Sequence, residues 1–320
     1  MIKRYVAAAV AVLAATTLVS GASATPGETP GNGWLLPDLR QAPVGCPGGY
    51  GGDPAVCVDW DVCMVEDATA PNGPCVTTGR IGAVRLRFTS SEDNVGDGPL
   101  LLYAHRDGTD VPTMTVRQAF QNSADGSVPR TFGAAQRDTT TYAYYEPARS
   151  HQHWHLMGFE RYRLRTPGGQ ELVADRKNGF CLGDRYDSHD AVTLPGLPHR
   201  GDAVALARYL RGNMCGHHNP LARDVVLGIS VGKGDDYRHD VDFQWLDITA
   251  VPSGVYDLVN TVNADRTLLE TDYANNSSSV AISLRWPGGA RTTPEVITAP
   301  PEVRLLRSCP GRASCASGDG

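Results

Sequence analysis

Lysine is scarce in this chain of 320 residues. Lysine and arginine together number 29, yet the lysines are only Lys3, Lys177 and Lys233. Such an arginine bias is typical of a GC-rich genome and predicts a bacterial source. Since lysine usually belongs to the solvated surface, each of the few lysines in this chain calls for its own explanation.

Positive charge and long apolar runs are also in short supply. The formal net charge is −6, and it becomes −8 if an N-terminal segment carrying the two charges of Lys3 and Arg4 is removed. An acidic chain is a poor candidate for binding nucleic acid, so no such partner is expected. After residue 24 no apolar stretch is long enough to cross a bilayer, and no membrane span is predicted there.

The N-terminus has the pattern of an export signal. A basic start at Met1–Arg4 is followed by an apolar run at Tyr5–Val19 and by small residues at Ala22–Ala24. This pattern predicts a signal peptide over residues 1–24, and hence a secreted, extracellular protein. The alternative is that the segment is retained as an N-terminal anchor.

Eight cysteines and no C-x-x-C pair favour disulfides over a thiolate metal site in an exported chain. Their spacing predicts the bridges Cys181–Cys215 and Cys309–Cys315. The other four, at positions 46, 57, 63 and 75, can pair in three ways, and the sequence leaves that choice open. The predicted organisation is a signal peptide (1–24), a Cys-rich segment packed on the main domain (25–80), a main β domain (81–290) and a flexible tail with a small Cys loop (291–320).

Short alternating runs separated by Gly, Pro and Asn turns predict an all-β fold. We expect an immunoglobulin-like β-sandwich core with long loops, one short helix at Asp202–Arg211 in an insert, and disulfide-pinned termini. Residues 104–140 are polar and are expected to be irregular. The expected strands include 84–88, 100–103, 139–145, 171–174, 225–231, 241–248, 255–262 and 280–286.

Three histidines within five residues form the sharpest chemical pattern. His151, His153 and His155 would share one face of a strand, and neutral imidazole is a common ligand for copper, zinc, iron and nickel. In a straight strand the outer two Cα atoms lie about 13 Å apart, whereas metal–nitrogen bonds are about 2 Å long. A bend or bulge is therefore predicted at this point.

Several stretches, in chain order, resemble the catalytic domain of the lysyl oxidase family of copper- and quinone-dependent amine oxidases. They cover roughly residues 35–286 and are His151–Phe159, Lys177–Asp184, Gly228–Tyr237, Asp240–Thr249 and Glu270–Asn276, with weaker landmarks at Leu36–Leu39 and Asn94–Gly96. Ser150, Lys233 and Phe243 stand where animal members have cysteine. The disulfide pattern of those members therefore does not carry over.

The resemblance implies a copper(II) site at His151, His153 and His155, and a lysine tyrosylquinone cofactor formed from Lys177 and Tyr237. It implies oxidation of a primary amine, or of lysine side chains of extracellular proteins, by O₂ to an aldehyde, with release of H₂O₂ and ammonia. Three points remain open. The proton-abstracting base is either Asp240 or Asp242, His239 could approach the metal, and Lys233 could compete with Lys177 for the cross-link.

The resemblance also implies a calcium site near the end of the β domain. Its candidate ligands are Asp38, Leu39 through its carbonyl, Glu270, Asp272, Asn275 and Asn276, and hard oxygen ligands suit Ca²⁺. Two other functions stay open. One is an immunoglobulin-like binding module that keeps a metal but never matures the quinone; the other is a zinc hydrolase, which would give Lys177 and Tyr237 no role.

Overall fold

Strands dominate the regular structure, and the all-β expectation is confirmed. The computed structural model describes residues 33–175, 177, 179–194 and 201–316, so the predicted signal peptide lies outside the described residues. In chain order the strands are β1 (Trp34–Leu35), β2 (Leu39–Gln41), β3 (Trp60–Val65), β4 (Ala83–Phe88), β5 (Ser90–Asn94), β6 (Leu100–His105), β7 (Thr113–Ala119), β8 (Gln121–Asn122), β9 (Arg137–Glu146), β10 (His153–Met157), β11 (Glu160–Arg165), β12 (Glu171–Ala174), β13 (Gly179–Phe180), β14 (Tyr186–Asp187), β15 (Asp224–Ile229), β16 (Lys233–Tyr237), β17 (Trp245–Asp247), β18 (Gly254–Val262), β19 (Ser277–Arg285) and β20 (Glu302–Cys309).

One α-helix, α1 (Ala203–Leu210), lies where the sequence predicts it. Short 3₁₀ turns occur at Pro54–Val56, Phe132–Ala134, Ala191–Thr193 and Pro287–Gly289. No helix in the described part of the chain is long and apolar enough to cross a membrane.

The strands pair antiparallel in several sheets. The largest has the order β13-β10-β9-β7-β6-β15, and a second has the order β12-β11-β18-β19-β20. A four-stranded sheet, β14-β16-β5-β2, and a three-stranded sheet, β17-β4-β3, complete the frame, with a small β1-β8 pair. Buried side chains from all the larger sheets, among them Phe88, Trp154, Tyr162, Leu246 and Ile282, belong to one hydrophobic core.

Four disulfides fasten the segments that carry little regular structure. Cys181–Cys215 and Cys309–Cys315 are confirmed, and the open choice is resolved as Cys46–Cys57 and Cys63–Cys75. No cysteine in the described residues is free.

Three local expectations differ from the structure. Residues 104–140 are not irregular, because Met114 and Val116 alternate into the core and form β7 between β6 and β9. Part of the expected flexible tail is regular, because residues 302–309 form β20 and pair with β19. The strand expected over 241–248 shortens to β17, because Phe243 has a φ of 60°, which ends extended geometry.

Strand β5 has an unusual composition for its position. All five of its residues, Ser90 to Asn94, are polar, and all are buried. It lies between β16 and β2, where it pairs with the segment that ends at Tyr237. The polar wall that it forms is therefore part of the surroundings of the candidate site.

Candidate metal centre

The histidine stretch is bent at its second residue. Gln152 has a φ of 50°, and strand β10 begins only at His153. The amides of His151 and Gln152 both donate to the carbonyl of Ala148, at 2.9 and 3.1 Å, so a tight turn precedes the strand. The predicted bend is confirmed, and it brings the first ring back toward the other two.

The three rings converge on one point. The candidate ligand atoms of His151, His153 and His155 all lie within 4.8 Å of one another. Nε2 of His153 is 2.9 Å from Nε2 of His155 and 3.4 Å from Nδ1 of His151. Tetrahedral ligand nitrogens with bonds of about 2.0–2.1 Å stand about 3.3 Å apart, so the arrangement fits a first-row metal ion with little adjustment.

Burial keeps these rings uncharged. It lowers the pKa of His151 to about 4 and that of His153 to about 3, and it holds the pKa of His155 well below its ordinary value. The positive charge of Lys177 acts in the same direction on all three pKa values. Near neutral pH each ring is therefore neutral, the state in which imidazole nitrogen binds a metal.

Close packing fixes the strand that carries the rings. Trp154 points to the opposite face, where its indole donates to the carbonyl of Asn219 at 3.0 Å and stacks under the guanidinium of Arg106. On the histidine side, β13 pairs with β10, and a Cβ on Gly179 would lie 2.4 Å from the Cβ of His155. Only glycine fits at position 179, because β13 passes so close to the histidine strand β10.

Lys177 and Tyr237 are brought together, although 59 positions separate them in the sequence. Nζ of Lys177 lies 5.1 Å from the centroid of the Tyr237 ring and 5.1 Å from that of Phe180. The two aromatic rings stand edge to face, 4.9 Å apart. The lysine is 5% exposed, so it is not the solvated surface residue that lysine usually is.

Hydrogen bonds orient the Tyr237 phenol. Its hydroxyl donates toward the carbonyl of Cys181 at 3.2 Å and toward Oδ2 of Asp235 at 3.1 Å. Burial, reinforced by the negative charge of Asp235, raises the pKa of Tyr237 well above its ordinary value. The phenol is therefore neutral in this protein near neutral pH.

The Lys177 amine is easier to deprotonate than an ordinary lysine. Burial lowers its pKa to about 8, against the opposing negative charges of Glu160, Asp242, Asp175 and Glu146. A lysine must lose its proton before its nitrogen can act as a nucleophile. At pH 7 to 8 an appreciable fraction of Lys177 is in that form.

The two candidate base residues have different surroundings. Asp242 is buried, accepts a short hydrogen bond from Ser150, and has Oδ2 3.8 Å from Nε2 of His151. Asp240 is exposed and pairs with Arg238 at 3.1 Å. Both carboxylates precede β17, and Phe243, with a φ of 60°, turns the chain just after Asp242.

His239 and Lys233, the two other residues left open by the sequence, each pair with an aspartate. His239 pairs with Asp59 at 3.1 Å and is not in the histidine cluster. Lys233 forms a salt bridge with Asp187, so its amine is engaged away from the Tyr237 ring.

A family model named for lysyl oxidase matches residues 216–288, the range that contains Tyr237, Asp242 and Glu270 to Asn276. Similar relatives include lysyl oxidase homolog 3 of Homo sapiens, 34% identical over 128 residues, which are 40% of this chain and 14% of the relative. Lysyl oxidase homolog 2 of Gallus gallus is 32% identical over 127 residues, 39% of this chain and 13% of the relative. The chain thus spans about one seventh of the length of these relatives.

Over residues 216–288 the chain is similar to the lysyl oxidase family. The matched family model begins after His151, His153, His155 and Lys177. It is the fold that brings these residues to Tyr237, which lies inside the matched range.

The structure has a second polar cluster, where β2 meets the connection between β18 and β19. Oε2 of Glu270 accepts the amide of Leu39 at 2.8 Å, and Nδ2 of Asn275 donates to Oδ1 of Asp38 at 2.7 Å. Oε1 of Glu270 also accepts Nδ2 of Asn276 at 2.6 Å. Five of the six calcium candidates are therefore linked in this junction, and Asp272 is near enough to act on Asp38 by its charge.

Two observations at this junction suit a hard cation. The side-chain oxygens of Asn275 and Asn276 are buried and have no hydrogen-bond donor in the described residues. Burial raises the pKa of Glu270 to about 7 and also raises that of Asp38. A Ca²⁺ ion would bind the amide oxygens that have no donor. Its charge would also stabilise the ionised form of the buried carboxyl groups.

Several residues near the centre were not singled out from the sequence. The His217 ring lies 6.2 Å from that of His153, and Glu92 and Glu160 are buried near Tyr237 and Lys177. The adjacent histidines at 217 and 218 in the sequence could have pointed to His217. For Glu92, the signal was a run of five polar residues, Ser90 to Asn94, between two apolar strands.

Proposed function

We propose that this chain is a copper-dependent amine oxidase that forms lysine tyrosylquinone from Lys177 and Tyr237. The observation that carries the proposal is the distance of 5.1 Å between Nζ of Lys177 and the Tyr237 ring centroid. In a chain with three lysines, a buried lysine beside that tyrosine is hard to explain as packing. The histidine cluster on the same side of the core supplies the ligands for a redox metal.

His151, His153 and His155 would hold the copper through neutral imidazole nitrogens. What copper and the mature cofactor would supply is redox chemistry, through which a primary amine, O₂ and water become an aldehyde, ammonia and H₂O₂. Phe180 and Asp235 keep the Tyr237 ring in position, one by edge-to-face contact and the other by accepting from its hydroxyl. The cross-link needs Lys177 in its neutral form, which its lowered pKa favours.

Asp242 is the better candidate for the group that removes the proton next to the substrate nitrogen. It is buried beside His151, whereas Asp240 is exposed and paired with Arg238. A carboxylate near its point of action, held by the Ser150 hydroxyl, has the geometry that general-base catalysis requires.

The substrates that we propose are primary amines, including lysine side chains of extracellular proteins, with O₂ as the co-substrate. Four disulfides among the described residues support an oxidising, extracellular location. The calcium site proposed at Asp38, the Leu39 carbonyl, Glu270, Asp272, Asn275 and Asn276 would have a structural role, because it joins β2 to the β18–β19 connection.

The deciding experiment is peptide mass mapping of the full chain after copper loading in air. We expect the separate Lys177 and Tyr237 peptides to disappear into one cross-linked species, together with a visible absorption and amine-dependent H₂O₂. Lys177→Arg should abolish all three signals. Lys233→Arg, which removes the other lysine of the β domain, should leave them unchanged.

The same experiment separates the alternatives. A copper-loaded protein with intact Lys177 and Tyr237 peptides and no amine-dependent H₂O₂ would point to a metal-binding module without the cofactor. Hydrolytic activity with zinc that survives Lys177→Arg would point to a zinc hydrolase. Either result would overturn the amine oxidase proposal.

A further inference from the structure

Glu92 is a buried carboxyl group without a hydrogen-bond donor. Its relative exposure is 0%, and neither of its carboxyl oxygens accepts a hydrogen bond from any described residue. On β5 it stands directly opposite Gln41 of β2 and Asp235 of β16, so the three side chains lie on one face of the sheet. An ionised carboxylate in such surroundings would be very costly.

Glu160, by contrast, accepts several hydrogen bonds. It is also buried, but Oε1 accepts Nε2 of Gln41 at 2.7 Å, and Oε2 accepts the hydroxyl of Ser90 at 2.8 Å and that of Tyr162. Three donors aimed at one carboxylate stabilise its ionised form. Glu160 therefore has the donors that a buried carboxylate needs, whereas Glu92 has none among the described residues.

The two carboxyl groups lie within hydrogen-bonding range of each other. Burial and then the negative charge of Glu160 raise the pKa of Glu92 well above its ordinary value, and Asp235 and Asp236 act in the same direction. Two carboxyls that touch in a buried site cannot both be ionised, so one proton is held between them. The protonated Glu92 carboxyl would thus donate a further hydrogen bond to Glu160.

The charge left on Glu160 faces Lys177. Among the acidic groups that act on the lysine, Glu160 is the largest contributor, followed by Asp242, Asp175 and Glu146. The three metal-site histidines also face the lysine, but burial keeps them neutral. A chain of contacts links the two residues: the Tyr162 hydroxyl donates to Glu160, the Tyr162 and Phe180 ring centroids are 6.5 Å apart, and Nζ of Lys177 lies 5.1 Å from the Phe180 ring centroid.

We propose that Glu92 and Glu160 share one proton, and that the single negative charge of this carboxyl pair is the buried counter-charge that holds Lys177 beside Tyr237. Both glutamates are positioning residues, since they would act on the cross-link only through Lys177. Loss of the charge would leave the lysine ammonium less stable in the interior. The part of the proposal that concerns Lys177 reactivity rests on the proposed cross-link, whereas the shared proton does not.

The shared proton can be measured directly in the metal-free full chain. The side-chain carboxyl carbon of Glu92 is followed by NMR against pH in protein labelled with ¹³C-glutamate, and its signal is assigned by its loss in Glu92→Gln. We expect Glu92 to remain protonated at neutral pH, and to ionise at lower pH in Glu160→Gln. Ionisation of Glu92 near its ordinary pKa of about 4.5 in the unmodified chain would overturn the proposal.

The counter-charge is tested on the lysine itself. The chain has only three lysines, so ¹³C-lysine labelling gives a simple spectrum in which Lys177→Arg assigns the signal. Glu160→Gln should lower the titration midpoint of Lys177 by about one pH unit or more. Glu92→Gln, which keeps a donor toward Glu160 and the pair's charge, should leave the midpoint close to the original value of about 8.

Glu171→Gln is the matched control, because Glu171 is an exposed glutamate on the neighbouring strand β12. It should not move the Lys177 midpoint. An unchanged midpoint in Glu160→Gln, or an equal shift in Glu171→Gln, would overturn the counter-charge. If Glu160→Gln does not fold, ionisation of Glu92 near its ordinary pKa in the unmodified chain would still overturn the shared proton.

These measurements are independent of the amine oxidase proposal, since they use protein that has neither bound copper nor formed a cross-link. If the titrations behave as expected and copper-loaded protein never forms the cross-link, the proposed function fails and the carboxyl pair stands. If the cross-link forms and Glu92 titrates normally, the reverse conclusion follows.

Discussion

Two buried polar clusters in this molecule offer different atoms to a metal. The first consists of His151, His153 and His155 and presents ring nitrogens that converge on one point. The second lies at the Asp38–Glu270 junction and presents carboxyl oxygens that accept hydrogen bonds, together with two amide oxygens that have no donor among the described residues. Nitrogen ligands suit copper or zinc, whereas oxygen ligands suit calcium.

The clusters also differ in how the chain assembles them. The three histidines come from five consecutive residues, and one turn at Gln152 is enough to bring them together. Leu39 and Glu270, by contrast, are 231 positions apart, and they meet only when β2 and the β18–β19 connection are in place. An ion at the first cluster should therefore affect chemistry, and an ion at the second should affect stability.

The largest expected effect is a loss of copper affinity at the nitrogen cluster that leaves the oxygen cluster intact. His153→Ala removes the central ligand of the nitrogen cluster. Loss of an outer hydrogen-bond partner of a ligand already weakens binding by about 10- to 100-fold, so loss of the ligand itself should exceed about 100-fold. Isothermal titration with copper measures the affinity, and calcium-dependent stability should be retained.

His105→Ala is the matched control for this experiment. His105 pairs with Asp224 at 2.7 Å, away from the cluster, and its loss should leave copper affinity unchanged. If His153→Ala bound copper within a few-fold of the unmodified chain, the nitrogen cluster would not be the copper site.

A second comparison distinguishes a carboxylate that takes part in chemistry from one that does not. Asp242→Asn should lower kcat for amine oxidation by about 10²- to 10⁴-fold, the usual contribution of a general base. Asp240→Asn should change kcat little, because its exposed pair with Arg238 contributes little energy. Steady-state kinetics should be normalised to the amount of cross-linked cofactor in each variant, so that a defect in cofactor formation is not read as slow catalysis.

Equal losses in both variants would remove the distinction drawn between Asp242 and Asp240. A loss confined to Asp240→Asn would reverse it and make the exposed carboxylate the base.

The sequence predicts the nitrogen cluster well because its information is local. The i, i+2, i+4 spacing predicts both the shared face and the need for a bend, and the structure supplies that bend at Gln152. The alternating runs predict most of the strands for the same reason. The strand expected at 241–248 fails because a single left-handed residue, Phe243, cannot be recognised from apolar and polar alternation.

The polar environment of the site is much harder to predict. Strand β5 has no apolar residue, so a pattern based on hydrophobic periodicity assigns it no structure, yet all five side chains are buried. Its burial depends on partners from β2, β11 and β16, as the bonds from Gln41 and Ser90 to Glu160 illustrate. Such partners are distant in sequence, and only the tertiary structure identifies them.

The smallest effect concerns the oxygen cluster and has a defined dependence on pH. In calcium-free protein the pKa of Glu270 is raised from 4.5 to about 7 by burial. A raised carboxyl pKa favours the folded state at low pH, so this stabilisation is complete below about pH 4.5 and is lost as the pH rises through about 7. Between about pH 5 and pH 7 the loss should be about 2 kcal/mol in the free energy of unfolding.

The contribution of Glu270 is isolated by comparison with Glu270→Gln in the presence of a chelator, since other buried carboxyls such as Asp235 titrate in the same range. Urea unfolding should give a free energy that falls more steeply with pH in the unmodified chain than in Glu270→Gln. Glu302→Gln, an exposed change on β20, should follow the unmodified chain. Calcium at about 100 times its Kd should add about 2.7 kcal/mol to the unmodified chain and almost nothing to Glu270→Gln. Parallel pH curves for the two proteins, or equal stabilisation by calcium, would mean that the junction is held by its hydrogen bonds alone and that only the nitrogen cluster binds an ion.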